Sequence, residues 1–129
     1  MNALAFRAAV IAAGLFAAST VSAEPVYMVA QIGIEDQEQF FGQYGAGTGP
    51  ILAQNEAQIL VATPSVNTLE GEWNGNWTVV LEFPSETHAL AWWESEDYQN
   101  DLVPVRQAST SFGNLILAPA FAGFEEMSE

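Results

Sequence analysis

The chain has 129 residues, no cysteine, and 16 Asp and Glu against two Lys and Arg, for a formal charge of −14. That length holds one domain. The missing cysteines exclude disulfides, thiolate zinc sites, Fe–S clusters and cysteine nucleophiles, and the charge excludes nucleic acid and anionic membrane surfaces as partners, because a polyanion is repelled.

Residues 1–23 read as an address. Arg7 precedes an uncharged, Ala-rich apolar stretch over 8–18, and Val21-Ser22-Ala23 presents the small residues that a signal peptidase reads. The stretch is shorter than the roughly 20 apolar residues of a spanning helix. The expectation is a signal peptide cleaved after Ala23, a periplasmic protein and no membrane attachment after cleavage. Cleavage removes Arg7 and no acid, so Arg106 is left as the one Lys or Arg against all 16 acids. An acidic surface of this kind suits a salt-bathed envelope, where screening weakens self-repulsion.

The first strand is expected over 26–33 (VYMVAQIG), with turn chemistry after it. Asp36 stands three residues ahead of Gln39, in capping-box register, and Phe40, Phe41 and Tyr44 follow at helical spacing. Gly45, Gly47, Gly49 and Pro50 predict a break or kink, then a short second piece over 51–55. QILVAT over 58–63 reads as the second strand. Asn74-Gly75 signals a tight turn, and TVVLEF over 78–83 is the third strand. Pro84 stops it. Ser85 caps a helix carrying Ala89, Trp92 and Trp93, and Ser95 caps another over 96–108 that Pro104 disturbs. FGNLIL over 112–117 is the fourth strand. Residues 24–117 therefore make the domain, and 118–129 an acidic tail carrying Phe121 and Phe124.

Strand, helix, strand, strand, helix, strand is the split βαβ order of a ferredoxin-like α+β domain: a four-stranded antiparallel sheet with its helices on one face. Period-two phasing puts Val79, Leu81 and Phe83 on one side of the third strand and Val80 and Glu82 on the other. The second face is thus partly apolar, and pairing of two sheets in a homodimer would cover it.

The segments Leu69-Glu70-Gly71-Glu72-Trp73, Glu82-Phe83-Pro84-Ser85, Ala91-Trp92-Trp93, Tyr98-Gln99 and Arg106-Gln107-Ala108 occur in that order. In them the chain resembles the domain of unknown function 1330 family, of the dimeric α+β barrel superfamily. Tyr27 and Tyr44 fit that family's first strand and first helix. The resemblance implies a dimeric α+β barrel and no settled activity. Related families include cofactor-independent monooxygenases, lactone isomerases and haem-handling proteins, a fold-level analogy that does not fix function. Two departures stand out. Asn55-Glu56-Ala57 through Val61-Ala62 replaces a Gly-Gly pair and an Arg, and Asn76-Trp77 stands where the family tends to carry another Arg.

Five residues are the candidate ligand contacts: Glu82, Trp92, Trp93, Tyr98 and Arg106. Glu82 is an ionisable group within a strand, either a base or ligand anchor or a structural ion pair with Arg106. Arg106 could hold an anion through its fork of donors, or pin its helix to Glu82, Glu94 or Asp97. His88, the one histidine, reads as a polar helix residue, with general base, metal ligand and haem ligand as its alternatives. Trp73, Trp77, Trp92, Trp93, Tyr98 and Phe83 could wall a pocket for a planar apolar molecule or fill core and interface. The acidic clusters 35–38, 70–72 and 94–97 lack EF-hand spacing and read as solvated surface. The chain is therefore expected to bind a small apolar or aromatic molecule, or to be structural, without cofactor or metal. The alternative is a cofactor-independent monooxygenase- or isomerase-like enzyme with Glu82 as base and Arg106 as anion anchor.

Overall fold

The computed structural model describes residues 24–127; the expected signal peptide lies outside them. Strand β1 (Val26–Ile34) is central, and its burial alternates. Val26, Met28, Ala30 and Ile32 are buried, while Tyr27, Val29 and Gln31 are half-exposed on the opposite face. Such alternation places a strand between a core and a second, uncovered face. Helix α1 follows in three stretches, Gln37–Gln39, a π-helical turn Phe40–Gly45, and Ala46–Gln54. Then come β2 (Gln58–Thr63), β3 (Trp77–Phe83) and α2 (Glu86–Trp93). Helix α3 joins a π turn, Asp97–Leu102, to Val103–Ser109. Strand β4 (Thr110–Pro119) and a short turn α4 (Phe124–Met127) end the described chain.

The sheet order is β2-β3-β1-β4, every pair antiparallel. This is the ferredoxin-like α+β fold, and the four expected strands are each present to within two residues at either end. Caps are where the sequence places them. The Asp36 side chain accepts from the Gln39 N–H at 3.0 Å, and the Ser85 hydroxyl from the His88 N–H at 3.2 Å, each satisfying an N–H left free by a helix start. The core joins the buried face of β1, Leu81 and Phe83 of β3, Phe40, Tyr44 and Ile51 of α1, Ala89 and Trp92 of α2, and Tyr98 and Leu102 of α3.

One expected boundary is corrected. Helix α1 does not break at its glycines: it runs on through Pro50. Pro50 forfeits one backbone bond, but Gly47 lets α1 press against α3, where a Cβ would lie 2.6 Å from Leu102 Cδ2. Tertiary packing here outweighs low helix propensity. The turn before β3 behaves as its sequence demands. Gly75 has φ +93°, and a Cβ there would run into the Ile32 carbonyl of β1. Beside it the Asn76 amide accepts from Ile34 N–H at 2.7 Å and donates to Ile34 O at 3.0 Å, continuing the ladder with a side chain.

Candidate functional site

Between the sheet and α1 lies a cavity of about 180 Å³. Its floor is Met28, Ala30 and Ile32 of β1, Val79 and Leu81 of β3, and Leu115 of β4. Phe40, Phe41, Tyr44, Thr48 and Leu52 of α1 form the roof, and Trp77 and Trp92 stand at its sides. Small residues make the room: Ala30 is fully buried at the centre of β1, and Gly45, Gly49 and Ala62 also line the space. The aromatic walls are packed edge to face, Phe40 on Phe41 at 5.2 Å and Phe41 on Trp77 at 5.0 Å between ring centroids. Trp92 is held by Phe83, stacked at 5.5 Å, and by Tyr98 at 4.8 Å. No carboxylate or imidazole stands among the described lining residues.

A buried polar chain runs behind this lining. Tyr98 is fully buried, and its hydroxyl lies 2.7 Å from that of Tyr44. Either hydroxyl of the Tyr44–Tyr98 pair can be the donor. Arg106, only 6% exposed, lies beside Tyr98 and sits 6.0 Å from the centre of the Tyr44 ring. Burial holds the Tyr98 phenol well above its ordinary range, and the neighbouring Tyr44 adds to this while Arg106 opposes it. Among the described residues no carboxylate pairs with Arg106. Its position in the last turn of α3 places the charge at the favourable end of that helix.

The family model for the domain of unknown function DUF1330 matches residues 25–121, nearly all of the described chain. The chain belongs to the DUF1330 family. The family's fold recurs in solved structures. A protein of unknown function from Rhodopseudomonas palustris has 18% identity and a TM-score of 0.63, over 85% of this chain and 94% of its own. Its methylated form gives 19% and 0.62, over 85% and 93%. A candidate antibiotic biosynthesis monooxygenase from Caulobacter crescentus CB15 gives 14% and 0.54, over 77% and 92%. At these identities the likeness is one of fold. Among curated proteins none matches the sequence.

On this DUF1330 scaffold the expected candidates scatter. Glu82 and Arg106 do not meet. Glu82 alternates with the buried Leu81 and Phe83 and stands beside Tyr27 and Gln58 on the uncovered sheet face. Arg106 lies on the helical face with Tyr44 and Tyr98. The expected Glu82–Arg106 ion pair, and a base and anchor sharing one cavity, are thereby corrected: the sheet separates them. Glu94 and Asp97 do not hold Arg106 either. His88 has both ring nitrogens engaged, Nδ1 with the Ser85 hydroxyl at 2.6 Å and Nε2 with Glu56 Oε2 at 3.3 Å. It braces the start of α2 against the turn before β2 and lies away from the cavity.

Of the aromatic candidates, Trp92 and Trp77 reach the cavity. Tyr98 and Phe83 support it from behind. Trp93 lines an adjoining depression with Leu90 and Ile116, which shares Met28, Trp92 and Leu115 with the cavity, and the Trp73 indole donates to the Thr78 hydroxyl at 2.9 Å. Asn76, where the family tends to carry an arginine, serves the β1 edge. Sequence reasoning missed Thr48 as a lining residue. The one signal it had was a polar residue four positions after Tyr44, on the same helix face. A wider hollow of about 630 Å³ lies between the start of α2 and the segment after β4. Glu24 and Glu86 line it, so it lacks the apolar character of the cavity under α1.

Proposed function

We propose that this chain is an exported binding module that holds a small, largely apolar ring compound in the cavity between its sheet and α1. The observation that carries this is the lining itself: aromatic and aliphatic walls, room made by Ala30 and two glycines, and no acid–base pair among the described lining residues. The hollow opens to solvent at Phe41 and at Ile59, which is 63% exposed, and its volume of about 180 Å³ has room for one ring with a small substituent. Export rests on the composition of residues 1–23. A second copy covers the outer sheet face, where Ile116 is 59% exposed and Leu60 and Val61 are also uncovered.

The test is native mass spectrometry of the protein isolated from the envelope of its own host. The expected result is a dimer carrying the extra mass of a small molecule that leaves on gentle activation. A mass equal to the bare chain, with single-ring compounds added at millimolar concentration still failing to bind, would overturn the reading.

A second reading, a cofactor-independent enzyme on the same kind of molecule, draws on the Arg106–Tyr98–Tyr44 chain. Tyr44 lines the cavity, its hydroxyl meets that of Tyr98, and the Arg106 cation sits 6.0 Å from its ring, so negative charge developing beside Tyr44 would be stabilised. Desolvation and positioning would supply the rest. Turnover of a bound ring compound that falls in Tyr44→Phe while binding persists would favour it.

A further inference from the structure

The floor of the cavity under α1 continues beyond it. The strand register lays two apolar rows across the helix-facing side of the sheet, from the β2 edge to the β4 edge. Ile59 pairs with Leu81, Leu81 with Met28, and Met28 with Leu117. Beside that row, Ala62 pairs with Val79, Val79 with Ala30, and Ala30 with Leu115. All of these but Leu117 line the cavity, and Leu117 lines the adjoining depression of about 330 Å³. Neighbouring strands lie about 4.8 Å apart, so a row across four of them is roughly 14 Å long. Met28, Trp92 and Leu115 belong to both linings and form the waist between them. Met28 carries an unbranched thioether that adapts its shape at little cost, so the waist can widen. The two ends differ in character. Phe40, Phe41 and Trp77 stand around the α1 end, and Leu90, Ile116 and Leu117 around the other. No charged side chain stands among the described residues of either lining.

We infer that the ligand is a ring bearing an unbranched hydrocarbon chain, with the ring under α1 and the chain passing Met28 toward Leu90 and Leu117. This rests on the binding reading above and lengthens its ligand from a ring with a small substituent to a ring with an alkyl chain. The aromatic walls take the ring through edge and face contacts. A chain is slimmer than a second ring and suits a waist set by one methionine. The aliphatic end offers burial without directional partners, so chain length sets the affinity there.

The test uses toluene, propylbenzene and pentylbenzene on the intact mature chain. Affinities are read from tryptophan fluorescence, and contacts from the indole N–H signals of the ¹⁵N-labelled protein. The expected result is an affinity that rises about fourfold for each CH₂ added through pentylbenzene, the worth of burying that group. The Trp93 signal should shift with pentylbenzene and stay nearly still with toluene. Leu90→Trp, which fills the depression, should lower the ratio of pentylbenzene to toluene affinity by about tenfold, the burial of roughly two CH₂ groups. Should that variant fail to fold, the parent chain carries the test alone. Toluene binding with no gain for the longer chains, a Trp93 signal unmoved by saturating pentylbenzene, or an unchanged ratio in folded Leu90→Trp would each overturn the inference and leave the cavity reading standing. If none of the three molecules binds the parent chain, both are overturned.

Discussion

Replacing Tyr98 by Phe removes one oxygen and tests the buried chain behind the cavity. In the parent that oxygen meets the Tyr44 hydroxyl at 2.7 Å and lies beside the Arg106 cation, in a side chain with no exposed surface. Removing one member of a buried hydrogen bond leaves the other unsatisfied, at a cost of about 1–3 kcal/mol. The Arg106 Nε already lacks a partner, so little nearby can substitute. The expected loss is about 2 kcal/mol. For a domain of this size 1 kcal/mol moves Tm by roughly 4–8 °C, so Tm falls by at least about 8 °C. Urea unfolding followed by tryptophan fluorescence measures it, and an unchanged m-value shows that native and unfolded states kept their surface difference. Tyr27→Phe, on the uncovered face, is the control and should change stability by less than about 0.5 kcal/mol. The double variant Tyr98→Phe/Arg106→Met should recover part of the loss, because the desolvated cation leaves with its partner. A Tyr98→Phe variant within about 0.5 kcal/mol of the parent would refute the reasoning.

Three further outcomes are expected. Tyr98 holds its proton in the folded state beyond the pH at which an unfolded tyrosine, near 10, loses its own. Its contribution to stability is therefore complete below about pH 10 and is lost as pH rises above it. There parent stability should fall by up to about 1.4 kcal/mol per pH unit more steeply than that of Tyr98→Phe, and parallel curves in alkaline urea titrations would count against this. Gly75→Ala should cost about 2 kcal/mol or more by chemical denaturation, since it meets both a positive φ and the Ile32 carbonyl. Under the proposed export, the protein recovered from the host envelope should begin at Glu24 by intact mass, and retention of Arg7 would contradict cleavage.

Much of the fold was legible because its signals are local. Asp36, Ser85 and Asn74-Gly75 mark caps and a turn through chemistry that neighbouring residues cannot undo, and the alternation Val79–Leu81–Phe83 sets one face of β3 whatever packs there. The continuation of α1 through Pro50 was not legible, because it depends on Leu102 meeting Gly47 from a helix more than 50 positions away. The site was legible in part. The tryptophan signal led to Trp92 and Trp77 but could not separate them from Trp93 and Trp73, since spacing says which residues share a face and not which face borders a void. Charge scarcity pairs Glu82 with Arg106, whereas the period-two phasing of β3 puts Glu82 on the side away from the helices. Arg106 instead finds phenol oxygen and ring, partners that a count of carboxylates does not consider. Thr48 lies among glycines that read as an interruption of the helix.

The central claim is that the cavity under α1 holds a ring compound, and the four tryptophans report on it directly. Two of them, Trp77 and Trp92, line the cavity, whereas Trp73 and Trp93 do not. Titrating the ¹⁵N-labelled protein with acetophenone and following the indole N–H signals should move those of Trp77 and Trp92 in a saturable way, leaving Trp73 and Trp93 nearly still. Saturable shifts confined to Trp73 or Trp93, or no saturable shift in any of the four, would contradict the account.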